Sequence, residues 1–164
     1  MLWPSRQLHC PEREFIVAHT NSPAQQPPKS TELTAYAAID LGTNNCRMLV
    51  AQPSHNGFKV IDSFSRIVRL GEGVSANGRL NENAIERTIS ALGVCKSKMR
   101  RAGVKKARCV TTEACRRADN SGDFLNRVHA ELGIELEAIS AKEEAELTLK
   151  GCAPLLAEVR PHAL

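Results

Sequence analysis

Aromatic residues are scarce in this chain: its 164 residues include one Trp, one Tyr and four Phe, 4% in all. A surface that stacks on unpaired bases needs such rings, so nucleic acid is disfavoured as a partner. The five histidines (9, 19, 55, 129, 162) do not cluster with the six cysteines (10, 46, 95, 109, 115, 152) at metal-ligand spacing, and no Cys-x-x-Cys occurs. A zinc site and a disulfide framework are both disfavoured. Reduced thiols are then the default, and with them a cytoplasmic location. No apolar run reaches the length of a membrane-spanning helix, and the N-terminus lacks a basic start followed by an uninterrupted apolar region. Secretion and membrane insertion are therefore not expected.

What is present suits one aliphatic globular domain, with 42% hydrophobic residues. Net charge is +4, from 22 basic and 18 acidic residues, and the excess gathers between Lys96 and Arg117. That run admits a polyanionic partner or is simply a solvated helix face. Five of the eight prolines (4, 11, 23, 27, 28) lie in the first 34 residues, among Ser, Gln, Thr and Asn. Residues 1–34 read as a disordered extension with too little apolar surface to offset the entropy of ordering.

From Tyr36 the pattern changes. Tyr36 to Leu41, Arg47 to Ala51 and Phe58 to Leu70 are strand-like, with a turn at Pro53 to Gly57. Apolar Ile85, Ile89, Leu92, Cys95 and Met99 recur at helical steps, which predicts one amphipathic helix from Asn81 to Ala102, with Asn81 as its N-cap and Gly103 at its end. Ala107 to Thr112 is a short buried strand, Ser121 to Leu132 a second helix closed by Gly133, and Ile134 to Ile139 an alternating strand. Ser140-Ala141-Lys142-Glu143 is a capping box opening a third helix, which runs to about Lys150. That box engages Glu143 and leaves Glu144 free. The order is βββαβαβα, an α/β class.

Three segments follow predicted strands and carry polar chemistry. In Asp40-Leu41-Gly42-Thr43-Asn44-Asn45-Cys46-Arg47, the glycine lets backbone N–H groups approach an anion, Thr43, Asn44 and Asn45 add neutral donors, and Arg47 adds a charged fork. Asp40 would repel a bare phosphate, but suits a hydrated Mg²⁺ bridging to one. Thr111 to Asn120 brings hydroxyls and arginines to a strand's C-terminal end, where open α/β sheets bind ligands. Ser140 to Ala145 presents a carboxylate at a helix N-terminus. Each alone could be an ordinary turn, a surface ion-pair cluster or a helix cap. Together they supply phosphate donors, a metal-facing aspartate and a carboxylate to orient water.

These blocks, with Arg69-Leu70-Gly71-Glu72-Gly73 between them, resemble the exopolyphosphatase and guanosine pentaphosphate phosphatase (Ppx/GppA) family of bacteria, in the family's order over roughly Tyr36 to Leu156. The resemblance implies a ribonuclease-H-like domain of the actin, sugar-kinase and heat-shock chaperone ATPase superfamily. Residues 35–156 would form the first of the two domains that close on a phosphate chain, and residues 157–164 would begin the connection to the second. It further implies hydrolysis of the terminal phosphoanhydride bonds of polyphosphate or guanosine pentaphosphate, with Mg²⁺ as cofactor and a homodimer as the full-length form. By position, Glu144 matches the catalytic glutamate and Asp40 the metal-associated aspartate. Gly42, Thr43, Asn44, Asn45, Arg47, Arg116 and Asn120 match phosphate-binding positions.

The family continues into Asp-Ile-Gly-Gly-Gly-Ser-Thr-Glu, a second phosphate loop, whereas here the last glycine is Gly151 and no aspartate follows Asp123. The expectation is an isolated first domain without turnover of its own, the alternative being an inactive phosphate-binding or partner-binding remnant.

Overall fold

The computed structural model describes residues 34–55 and 57–157, with side chains to residue 153. The extension assigned to residues 1–34 therefore lies outside the described residues except for Thr34, as do residues 158–164 of the expected connection. Among the described residues a five-stranded sheet has the order β3-β2-β1-β4-β5. Its strands are β1 (Ala35–Leu41), β2 (Asn45–Ser54), β3 (Gly57–Ile67), β4 (Val104–Thr111) and β5 (Glu137–Ala138). β1, β2 and β3 form an antiparallel meander, while β4 lies parallel to β1 and β5 parallel to β4. This is the arrangement of the ribonuclease-H-like fold.

Strict alternation makes β1 two-faced. Ala35, Ala37, Ile39 and Leu41 are buried while Tyr36, Ala38 and Asp40 are exposed, because successive side chains of a strand leave opposite faces. On the buried face lies α2 (Glu82–Arg101), whose Ile85, Ile89, Leu92 and Cys95 join Ile39, Cys46, Met48 and Val50 in one core. Burying each large aliphatic side chain contributes about 1.5 to 3 kcal/mol. Asn81 caps α2 as expected, its side chain accepting from Asn83 N at 2.8 Å, and Gly103 follows with φ 64°. On the opposite face Tyr36, Leu49 and Phe58 line an open cavity of about 340 Å³.

Several boundaries differ from the sequence reading. β2 and β3 extend almost to each other, so the hairpin turn is shorter than Pro53 to Gly57. Two short helices were not foreseen, α1 (Val74–Asn77) and α3 (Glu113–Arg117), since four or five residues carry too little periodicity to be read. α4 (Ser121–Leu132) matches its expected span, but β5 keeps only two residues of Ile134 to Ile139, and α5 (Ala141–Ala157) runs past Lys150. β5 pairs with β4 only at Val110 and Thr111, so its alternation is not matched by a long ladder.

Because β1, β4 and β5 are parallel, their C-terminal ends lie along one edge of the sheet. The three polar segments begin at those ends.

Candidate active site

The first loop is a tight turn, with Gly42 N donating to Asn45 O at 2.9 Å. Its outward carbonyls are occupied: Asn44 O accepts from Val68 N (2.8 Å) and Arg69 N (3.0 Å), and Thr43 O from Gly71 N (2.9 Å). The N–H groups of Thr43 and Asn44 find no acceptor among the described residues and remain available as donors at the surface of the turn. Gly42 does not have a positive φ, and a Cβ there would make only ordinary contact with Asn45 O at 3.7 Å. The expected conformational reason for this glycine is therefore not present. The constraint falls on Gly71 instead, where a Cβ would stand 2.3 Å from Thr43 Cγ2. Arg69, at φ 49°, is the sole non-glycine with positive φ among the described residues and bends this second strip of chain against the loop.

Asp40 and Arg47 are cross-strand partners on the face away from α2, with Asn45 at the start of the same strand. Although Asp40 reaches solvent, partial desolvation by the surrounding protein raises its pKa above the ordinary value; Arg47 opposes that shift and the charge of Glu144 reinforces it. Asp40 and Glu144 line one cavity of about 380 Å³, together with Ala38, Ile39, Arg108, Val110, Thr112, Ile139, Leu147 and Thr148. Two carboxylates from distant parts of the chain thus face the same space. That donor set fits Mg²⁺, which keeps much of its water and takes one or two carboxylates beside substrate phosphates.

Arg116, on α3, donates from Nη1 to Glu144 Oε2 at 3.0 Å and to Ile139 O at 2.8 Å. It therefore reaches the Asp40 cavity through Glu144. Glu144 was expected to be free, but it is held by Arg116. The capping box is half realised: Glu143 N donates to Ser140 Oγ at 3.1 Å, whereas the Glu143 carboxylate accepts from Arg108 Nη2 at 2.6 Å instead of reaching back. Arg108 also grips Glu137 at 2.9 Å and holds that carboxyl below the usual range. A charged fork across the sheet is a stronger partner than a backbone N–H, and only the tertiary structure places it there.

Two other expectations change. Thr111 is fully buried, so its hydroxyl does not emerge as a binding surface, whereas Thr112, 6% exposed, keeps a place in the lining of the Asp40–Glu144 cavity. Thr111 Oγ1 instead donates to Leu41 O at 3.1 Å and ties the ends of β1 and β4 together beneath the site. Asn120 is committed to Leu80, accepting from its N–H at 2.8 Å and donating to its carbonyl at 3.2 Å. Its amide staples the end of the Arg116 segment to the start of α2 and is not brought to the cavity. The contributions of Arg69, Gly71 and Arg108 were not assigned from the sequence; the positive φ and the close approach that mark the first two appear only in three dimensions.

Among the described residues no helix is long and apolar enough to cross a membrane. Residues 49–161 match the model of the Ppx/GppA phosphatase family. A crystal structure of the Aquifex aeolicus Ppx/GppA family member is 35% identical with a TM-score of 0.70, over 74% of this chain and 40% of that one. The type II variant of the Aquifex aeolicus Ppx/GppA phosphatase is 37% identical, TM-score 0.64, over 66% of this chain and 36% of its own. An exopolyphosphatase from Cytophaga hutchinsonii is 25% identical, TM-score 0.67, over 70% and 36% respectively. The chain thus spans well under two thirds of the length of each. With the sheet order, the three strand-end segments and these likenesses in agreement, the chain belongs to the Ppx/GppA phosphatase family.

Proposed function

We propose that this chain carries the water-activating half of a phosphohydrolase site that removes the terminal phosphate of polyphosphate or guanosine pentaphosphate. The observation that supports it is the meeting of Asp40 and Glu144 on one cavity at the C-terminal edge of the sheet, with Arg116 bonded to Glu144. Glu144 would accept the proton of the attacking water, while Arg116 and the N–H groups of Thr43 and Asn44 receive the phosphate oxygens. Arg47 stands across the strand from Asp40 and adds positive potential. Asp40 would hold Mg²⁺, which when bound neutralises phosphate oxygens.

The test is phosphate release from polyphosphate and from guanosine pentaphosphate, with and without Mg²⁺. Glu144→Gln is expected to lower turnover by roughly 10² to 10⁴, the scale of losing a positioned general base. Glu143→Gln is expected to leave turnover nearly unchanged, since its exposed pair with Arg108 is worth about 0.2 to 1 kcal/mol. Equal losses from both would remove Glu144 from the role. A second reading is phosphate binding without turnover, since the Arg116 guanidinium and the Thr43 and Asn44 N–H groups could hold an oxyanion whether or not Glu144 activates water. Binding of tripolyphosphate by a chain that releases no phosphate would select it.

A further inference from the structure

Arg116 is oriented from one side only. Both of its described bonds leave from Nη1, one to the carbonyl of Ile139 and one to Oε2 of Glu144. The carbonyl is a fixed anchor, because Ile139 N itself donates to Thr111 O at 3.1 Å at the end of β4. Nε and Nη2 meet no acceptor among the described residues, although the side chain is only 26% exposed. Those two nitrogens form the edge of the guanidinium that takes an oxyanion in bidentate fashion. The group is therefore a plate with one side tied to backbone and carboxylate and the other open.

We infer that Arg116 is a positioning residue for Glu144 as well as a phosphate ligand, so that a phosphate on its Nε–Nη2 edge and the orientation of the Glu144 carboxylate are coupled through one guanidinium. This rests on the function proposed above for Glu144. Phosphate arriving on the open edge shares the positive charge that Nη1 presents to Oε2. The carboxylate is thereby loosened toward water when, and only when, phosphate is bound. Without phosphate it stays paired. Lysine cannot substitute, because a single ammonium has no second edge and no planar frame to hold Ile139 O, Glu144 and an oxyanion at fixed angles.

The experiment is NMR of the full 164-residue chain, following the Arg116 Nε–H and the Glu144 side-chain carboxyl carbon while tripolyphosphate and Mg²⁺ are added. In the native chain both signals are expected to move together along one binding curve. In Arg116→Lys, tripolyphosphate should still bind, about tenfold more weakly for the loss of one contact of a bidentate pair, and the Glu144 signal should no longer follow it. In Glu144→Gln the Arg116 Nε–H should still respond, which keeps the test open if the lysine variant fails to fold. A native titration in which the Glu144 signal stays still overturns the coupling, as does one in which Arg116 Nε–H stays still. So does a Glu144 signal that follows tripolyphosphate equally well in Arg116→Lys. Failure of the underlying reading looks different: Glu144→Gln would then leave phosphate release intact whatever the spectra show.

Discussion

Asp40 lives in an environment that disfavours its own charge, through partial desolvation and the nearby Glu144, with Arg47 only partly compensating. Its folded pKa lies above its ordinary 3.8, so the folded chain holds that proton more readily than the unfolded one. The resulting stabilisation is present in acid and lost as pH rises through the raised value. Asp40→Asn should therefore melt higher than the native chain at pH 7 without Mg²⁺, and the gap should close below about pH 4. Mg²⁺ should raise the melting temperature of the native chain and leave that of the variant unchanged. A variant that melts lower at pH 7 would show that the carboxylate contributes to the fold itself. Asn120 provides the opposite case: with both ends of its amide on Leu80, Asn120→Ala should cost about 1 to 3 kcal/mol for the backbone groups left unpaired. Tripolyphosphate affinity should not change. A loss of affinity with unchanged melting temperature would return Asn120 to the phosphate site.

The turn from Gly42 to Asn45 owes its shape to the strip of chain from Val68 to Gly71, which donates three backbone hydrogen bonds to Thr43 and Asn44 carbonyls. That strip is itself held to α2, where Arg87 bonds Val68 O at 3.1 Å and Glu72 Oε2 at 2.8 Å. Gly71→Ala would set a methyl 2.3 Å from Thr43 Cγ2, and backbone so bonded cannot retreat without breaking its contacts. We expect destabilisation of about 1 to 3 kcal/mol, the cost of overpacking, with tripolyphosphate binding weakened beyond what unfolding explains. Calorimetric melting and titration calorimetry on the same sample separate the two. The matching change at the loop itself, Gly42→Ala, meets only an ordinary contact, so its effect on melting should be small.

For the whole molecule, the described residues line the Asp40–Glu144 cavity from β1, β4 and α5 and leave it open on the remaining side. Hydrolysis of a phosphoanhydride gains from excluding water and holding the transferred group on every side. The chain alone should therefore turn over slowly. Joining it to the remaining portion of the Aquifex aeolicus relative should restore Mg²⁺-dependent release of phosphate. Restoration that survives Glu144→Gln in the joined protein would move catalysis to the added portion.

Much of this could be read in one dimension because it is local. The alternation of β1, the apolar steps of α2, the Asn81 cap and the polar segments after β1, β4 and β5 depend on neighbours within a few residues, and each stands in the structure where expected. The partners of the charged side chains could not be read. Glu144 and Arg116 are 28 positions apart, Arg108 and Glu143 are 35, and Thr111 and Leu41 are 70, and no periodicity encodes such pairs. The sequence by itself determined which elements form, which family they belong to and which residues carry charge to the sheet edge. Only the tertiary structure decided that Glu143 holds Arg108, that Glu144 is held by Arg116, and that Gly71 and not Gly42 is the glycine the loop requires. Local torsional and hydrophobic preferences act along the chain, whereas ion pairing and steric fit act between surfaces that meet only once the parallel strands have aligned their ends.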